Sequence, residues 1–130
     1  MALYNFKNII LEKTPGVESI QIEQSSFSVY QGDDNTSGQL TADVTADEGV
    51  DDSVTWSSSD DGLITIDSNG NWSLVEQGTA GIFTAVIEAE TVEPTSEGST
   101  LTDSINIEVI VTEDNVAQQS TINEFSTLTE

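Results

Sequence analysis

Ser53-Val54-Thr55-Trp56-Ser57-Ser58-Ser59-Asp60-Asp61-Gly62-Leu63-Ile64-Thr65-Ile66-Asp67-Ser68-Asn69-Gly70-Asn71-Trp72-Ser73-Leu74-Val75 is the stretch that decides the fold. Val54 and Trp56, Ile64 and Ile66, and Trp72 and Leu74 recur at period two, the spacing at which side chains return to one face of a strand. Asp67-Ser68-Asn69-Gly70 separates the last two runs. Asn-Gly between alternating segments signals a hairpin, because both residues tolerate a positive φ.

Working outward, the same grammar repeats. Ser19-Ile20-Gln21-Ile22-Glu23 alternates upstream, Phe27 and Val29 form a second short run, and Gln31-Gly32-Asp33-Asp34 makes a turn. Leu40, Ala42 and Val44 supply the inward face of the next strand. Downstream, Ala80 to Ala89 reads as one long strand, and Ile105, Ile107, Val109 and Val111 as the last. No stretch after Pro15 shows a 3.6-residue period, so an all-β sandwich of about seven to eight strands is expected rather than an α/β fold. Val54, Trp56, Val44 and Ile66 are its expected core, with Trp56 filling an inward position on a central strand.

With 130 residues and 35% hydrophobic content, the chain can bury one modest core. It divides into an arm (1–17), the sandwich (18–112) and a tail (113–130). The arm contains both cations, Lys7 and Lys13, and an apolar cluster of Leu3, Tyr4, Phe6, Ile9, Ile10 and Leu11. Its spacing accommodates a short helix, with Phe6, Ile9 and Ile10 on one face, or an extended edge strand. Pro15-Gly16 then punctuates the chain. The tail is polar, with apolar anchors at Val116, Ile122, Phe125 and Leu128.

Charge excludes whole classes of partner. The net charge is −22, and only Glu12 among the 24 acids precedes Thr14. A surface this acidic repels nucleic-acid phosphate and anionic lipid, which Lys/Arg clusters ordinarily hold. No apolar run approaches the length that spans a bilayer. The first residues lack a signal-peptide core, so a chain that starts at Met1 is expected to stay in the cytosol or to reach the outside by a route other than standard secretion.

Catalysis is poorly served as well. There is no His, Cys or Arg, so the usual general base, thiol nucleophile and oxyanion-stabilising guanidinium are missing. The acid pairs Asp33/Asp34, Asp51/Asp52 and Asp60/Asp61 could suggest a glycosidase, but neighbouring acids in turns point apart. Calcium is the cofactor such acids could hold. Asp67-Ser68-Asn69-Gly70 begins like a calcium loop yet lacks the later bidentate Glu, so no cofactor is expected and screening by ions explains the acids better.

The block Ser53-Val54-Thr55-Trp56-Ser57-Ser58-Ser59-Asp60, then Ile64 to Gly70, then Gln77-Gly78-Thr79-Ala80, resembles the bacterial Ig-like domain group 2 family. The opening, Ser19 to Ile22, Val29 to Gly32 and Leu40 to Val44, resembles it too, so the likeness covers roughly residues 18–112. The acidic segment Glu90–Thr100 is longer than the family's usual connection, and arm and tail have no counterpart in it. The resemblance implies an immunoglobulin-like β-sandwich, and a non-enzymatic adhesive, spacer or virion-decorating role. A capsid decoration protein of a tailed-phage virion is the leading expectation, docking on capsid or other virion proteins through Leu3, Tyr4, Phe6, Lys7, Ile9, Ile10 and Lys13, and through the tail anchors. These arm residues could equally cover an edge of their own sandwich. A tail or baseplate subunit, a homo-oligomer, and a bacterial-surface module that binds carbohydrate through Tyr30 or Trp72 are the alternatives, although Trp72 better suits a core or edge-covering role.

Overall fold

The computed structural model describes residues 14–116. Nine strands follow one another: β1 (Val17–Ile22), β2 (Phe27–Tyr30), β3 (Ser37–Gln39), β4 (Ala42–Ala46), β5 (Val54–Ser58), β6 (Ile64–Ile66), β7 (Asn71–Leu74), β8 (Gly81–Thr91) and β9 (Thr102–Val111). A 3-10 turn, Glu113–Asn115, comes last.

β2, β9, β8 and β5 form one four-stranded sheet in that order, with β2 parallel to β9 and the other pairs antiparallel. Opposite it lie β1 paired with β4, and β3 paired with β7 and then β6. These two smaller sheets are joined where β3 runs into β4. Leu40 N–H donates to Gly70 O at 2.8 Å, and Glu23 N–H donates to Thr41 O at 2.9 Å. The break at Leu40–Thr41 is why two strands, β3 and β4, stand where a single strand through Leu40, Ala42 and Val44 is expected from sequence, which brings the described strands to nine.

Between β1 and β2 the chain changes sheets. Backbone donors at such a crossing must find other acceptors. Ile22 N–H donates to Asp103 Oδ2 (2.8 Å), and Asn106 N–H donates to Ser26 Oγ (2.9 Å), so β9 side and main chain guide the switch.

Both layers feed one core: Ile22, Val29, Leu40, Leu63, Ile64, Trp72, Ala85, Ile87, Ala89, Ile105, Ile107, Val109 and Val111. The alternation read from the sequence of β9 is therefore the inward face. Trp72 is buried and tilts against Phe27 with ring centroids 5.3 Å apart, a geometry favoured by the ring quadrupoles. The placement of Trp56 on a central strand is corrected. β5 ends its sheet, and Trp56 is half-buried opposite Ala89, against the rim of the core. Val54 and Ile66 flank the core in the same way, and Val44 is half-buried on β4.

The Asn69-Gly70 turn closes as a four-residue loop rather than with two left-handed residues. Gly70 alone in it has a positive φ (82°), and Gly70 N–H donates to Asp67 O (3.0 Å). A Cβ on Gly70 would lie 2.3 Å from Leu40 O, so glycine is required for both conformation and space. Gly16 answers a different need. A Cβ there would strike the backbone of Pro94–Ser96, against which the start of β1 packs.

Candidate functional site

The outer face of the four-stranded sheet carries the features that the core does not use. Inward and outward residues alternate strictly, so Tyr30, Ile110 and Ile82, directly opposed across β2, β9 and β8, all point outward. Tyr30 is 48% exposed and Ile82 67%, and Ile110 between them is half-buried. Val86, four residues along β8 on the same face, is exposed as well. Lone apolar residues on a surface are ordinary, whereas three aligned across adjacent strands make a patch.

The next row is polar. Ser28, Glu108 and Thr84 are opposed across the same strands, and Ser28 Oγ donates to Glu108 Oε1 at 3.0 Å. With Ser26, Phe27 and Asn106 they line an open depression of about 240 Å³. Farther along lie Glu88 and Ser57, so the face grades from apolar at one end to acidic and polar at the other.

The chain joins the sandwich at one end of the β8–β9 hairpin and leaves at the other. Val17 N–H donates to Pro94 O (3.0 Å) inside the loop that connects the two strands. Gly16 N–H donates to Asp47 Oδ2 (3.0 Å) at the same end. Thr91 is buried in the hinge of that loop, where its hydroxyl donates to Glu93 O and accepts from Leu101 N–H, both at 2.9 Å. At the open end, Gln31 is buried and clamps three segments. Its Oε1 accepts from Gln77 N–H (2.7 Å), and its Nε2 donates to Gln77 O (3.1 Å) and to Asn115 O.

That clamp accounts for Val116, expected as a tail anchor for a partner. It packs, half-buried, against its own core. The expectations for Leu3, Tyr4, Phe6, Lys7, Ile9, Ile10 and Lys13, and for Ile122, Phe125 and Leu128, lie outside the described residues. Trp72 is withdrawn as a carbohydrate platform because its ring is in the core, which leaves Tyr30. Sequence reading passed over Ile82, Val86 and Ile110. Three consecutive apolar residues, Val109-Ile110-Val111, break the alternation of β9 and are the signal that could have found the row.

The acid pairs are exposed turn residues. Asp51 Oδ1 accepts from the Ser53 hydroxyl (2.6 Å) and the Ser53 N–H (2.9 Å), and these bonds hold its carboxyl below the ordinary value of 3.8. Asp67 is lowered likewise, first by Asn71 N–H and then by the Asn71 side chain and Asn69 N–H. A general acid needs the opposite shift, produced by burial. Among the described residues no group of three or more acids is gathered as a metal cage.

No relative among curated proteins matches the chain. The family profile of the bacterial Ig-like domain (group 2) matches residues 16–99, ending in the loop before β9, and the remaining strand is placed by its ten-residue ladder with β8. With most of the sandwich inside that match and both layers closing on a single core, the chain belongs to the bacterial Ig-like domain group 2 family, whose members serve as structural and binding modules.

Proposed function

We propose that the chain is a non-enzymatic structural and binding protein of a tailed-phage virion, a capsid decoration protein that docks through its terminal segments and presents the acidic sandwich outward. The observation that carries this reading is the division between ends and body. Residues 14–116 hold all but three of the 24 acids and no cation, while both lysines and six large apolar residues precede them. A body so charged is pushed away from most biological surfaces, and attachment then falls to a segment of different chemistry. Aromatic and aliphatic anchors supply affinity, and the cations offset like-charge repulsion during approach. The described chain enters beside Pro94 and ends beside Gln31, at opposite ends of the β8–β9 hairpin, so docking through both terminal segments would address two separate sites.

Cosedimentation of the full chain with purified phage capsid shells tests this. Phe6→Ala should weaken binding about tenfold or more, equivalent to about 1.4 kcal/mol, with the melting temperature unchanged. An equal loss of thermal stability would show that Phe6 packs on its own sandwich and would overturn docking through the arm. Sedimentation with tails but not shells would replace the decoration role by that of a tail or baseplate subunit.

The polar depression favours a second reading, an adhesion module for cell-surface carbohydrate on a virion or a bacterial surface. Hydroxyls of Ser26 and Ser28, the Asn106 amide and the Glu108 carboxylate are sugar-binding chemistry, one row from the exposed Tyr30 ring. Under it, glycan titration changes Tyr fluorescence and Tyr30→Ala abolishes the change. Under the decoration reading, glycans leave the emission flat.

A further inference from the structure

Apolar side chains and acids meet at one end of the outer face of the β2-β9-β8-β5 sheet. We propose that the Tyr30–Ile110–Ile82 row is a docking surface for a basic amphipathic helix of another protein, whose apolar face covers the row while its Lys and Arg side chains meet the acids around it. This interface is separate from the terminal segments and does not depend on where they dock.

Charge selects the partner. Glu108 stands in the next outward row, between Ser28 and Thr84. On the other side the chain turns, and Asp33 N–H donates to Tyr30 O at 3.1 Å, which keeps Asp33, followed by Asp34, close to Tyr30. Glu76 and Asp114 line a shallow pocket with Gln31 and Gly32 at the same end of the sheet. Glu108 is half-buried and the other four acids are exposed, and residues 14–116 hold no cation to answer them. A second copy would bring another net charge of −22 against this rim, and a neutral apolar partner would desolvate carboxylates without compensation. A surface that sets Lys or Arg around apolar anchors gains twice: opposite charge steers the encounter, and burial of the row holds the complex.

Spacing selects the form. Neighbouring strands lie about 4.8 Å apart, so the three side chains recur at that interval over about 10 Å. A helix laid across the strands returns a side chain to one face every turn, about 5.4 Å, and its positions i, i+4 and i+7 therefore match the row. The polar row of Ser28, Glu108 and Thr84 then faces the flank of the helix, where its cations stand.

The probe is a labelled amphipathic peptide of about fourteen residues, with Leu at those helical positions and Lys elsewhere, titrated with the full chain at about 0.15 M salt and read by fluorescence anisotropy. Tyr30→Ser combined with Ile82→Ser, both at exposed positions, should weaken binding about tenfold or more, and a peptide with Ser in place of each Leu should lose as much against the unsubstituted chain. Glu108→Gln with Asp33→Asn should weaken binding about fivefold. Glu88→Gln with Glu90→Gln removes the same charge from the far end of the same face and should change it less than about twofold. Equal losses in the two charge variants would reduce the contact to general attraction by an acidic body and overturn the proposal, as would full affinity in the Tyr30→Ser, Ile82→Ser variant. Failure of the peptide to bind the unsubstituted chain overturns it too, with a dimeric mass in sedimentation assigning the row to a second copy and a monomeric one leaving it without a basic partner.

Discussion

Ile107 and Ile82 are the same side chain on neighbouring strands of one sheet, yet the first is 0% exposed and the second 67%. The difference is parity alone. Val29, Val109 and Phe83 form an inward row across β2, β9 and β8, and the residues beside them, Tyr30, Ile110 and Ile82, form the outward one. A sheet with one wet face is expected to be polar on that face. Here it is polar over most of its length, with Val86 as a lone apolar residue midway, and apolar side chains are aligned across three strands at the end where the chain departs. The inner row thus answers to the fold, and the outer row to whatever covers it.

The largest expected effect measures that contrast directly. Ile107→Ala should destabilise the domain by about 2–5 kcal/mol in denaturant unfolding, because the cavity it leaves sits between two packed layers. Ile82→Ala removes the same atoms from the surface and should cost under about 1 kcal/mol. Equal costs would break the distinction between the faces, since Ile82 would then have to be part of the core.

Gln31 sharpens the comparison, because the alternation returns inward immediately after Tyr30 and places an amide where an apolar side chain would otherwise stand. Gln31→Leu keeps the volume roughly constant but strips Gln77 N–H and O and Asn115 O of their shared partner. Leaving such groups unpaired should cost about 1–3 kcal/mol. Hydrogen exchange should rise first at residues 76–78 and 113–116, the segments that the amide ties together. A variant with unchanged exchange at those residues would mean that Val116 alone holds the end of the domain.

Much of the fold is legible in the sequence because burial on one face writes itself as period two, and the inward set of β9 follows directly from Ile105, Ile107, Val109 and Val111. What escapes is decided by neighbours in space. Trp56 and Trp72 have similar local patterns, but only the sheet order shows that β5 is an edge and that Phe27, from across the sandwich, completes the packing around Trp72. The Asn69-Gly70 turn is legible as a turn, and its form depends on the Asp67 carboxylate, which accepts from Asn69 N–H and Asn71 N–H, both at 2.9 Å. The outer row is the least legible feature. Ile82 and Ile110 are separated by 28 positions in the chain and become a patch only through the β8–β9 register.

The smallest expected effect concerns the charge that surrounds this apolar row. Two electrostatic contributions oppose each other as pH falls. Asp67 and Asp51 have carboxyls held below 3.8 in the folded chain, so their contribution is fully present above that value and is lost as pH falls through the lowered one. The repulsion among the acids acts the other way, and protonation or salt relieves it. Between pH 7 and about 4.5, therefore, the melting temperature should hold or rise by a few degrees, with a similar rise on adding about 0.5 M salt at pH 7, where about 1 kcal/mol is worth roughly 4–8 °C. Below 3.8 it should fall, because the hairpin loses the carboxylate that organises its turn. Asp67→Ser should flatten that acid limb while leaving the response to salt intact. An unchanged limb would transfer the acid sensitivity from the β6–β7 turn to other parts of the molecule.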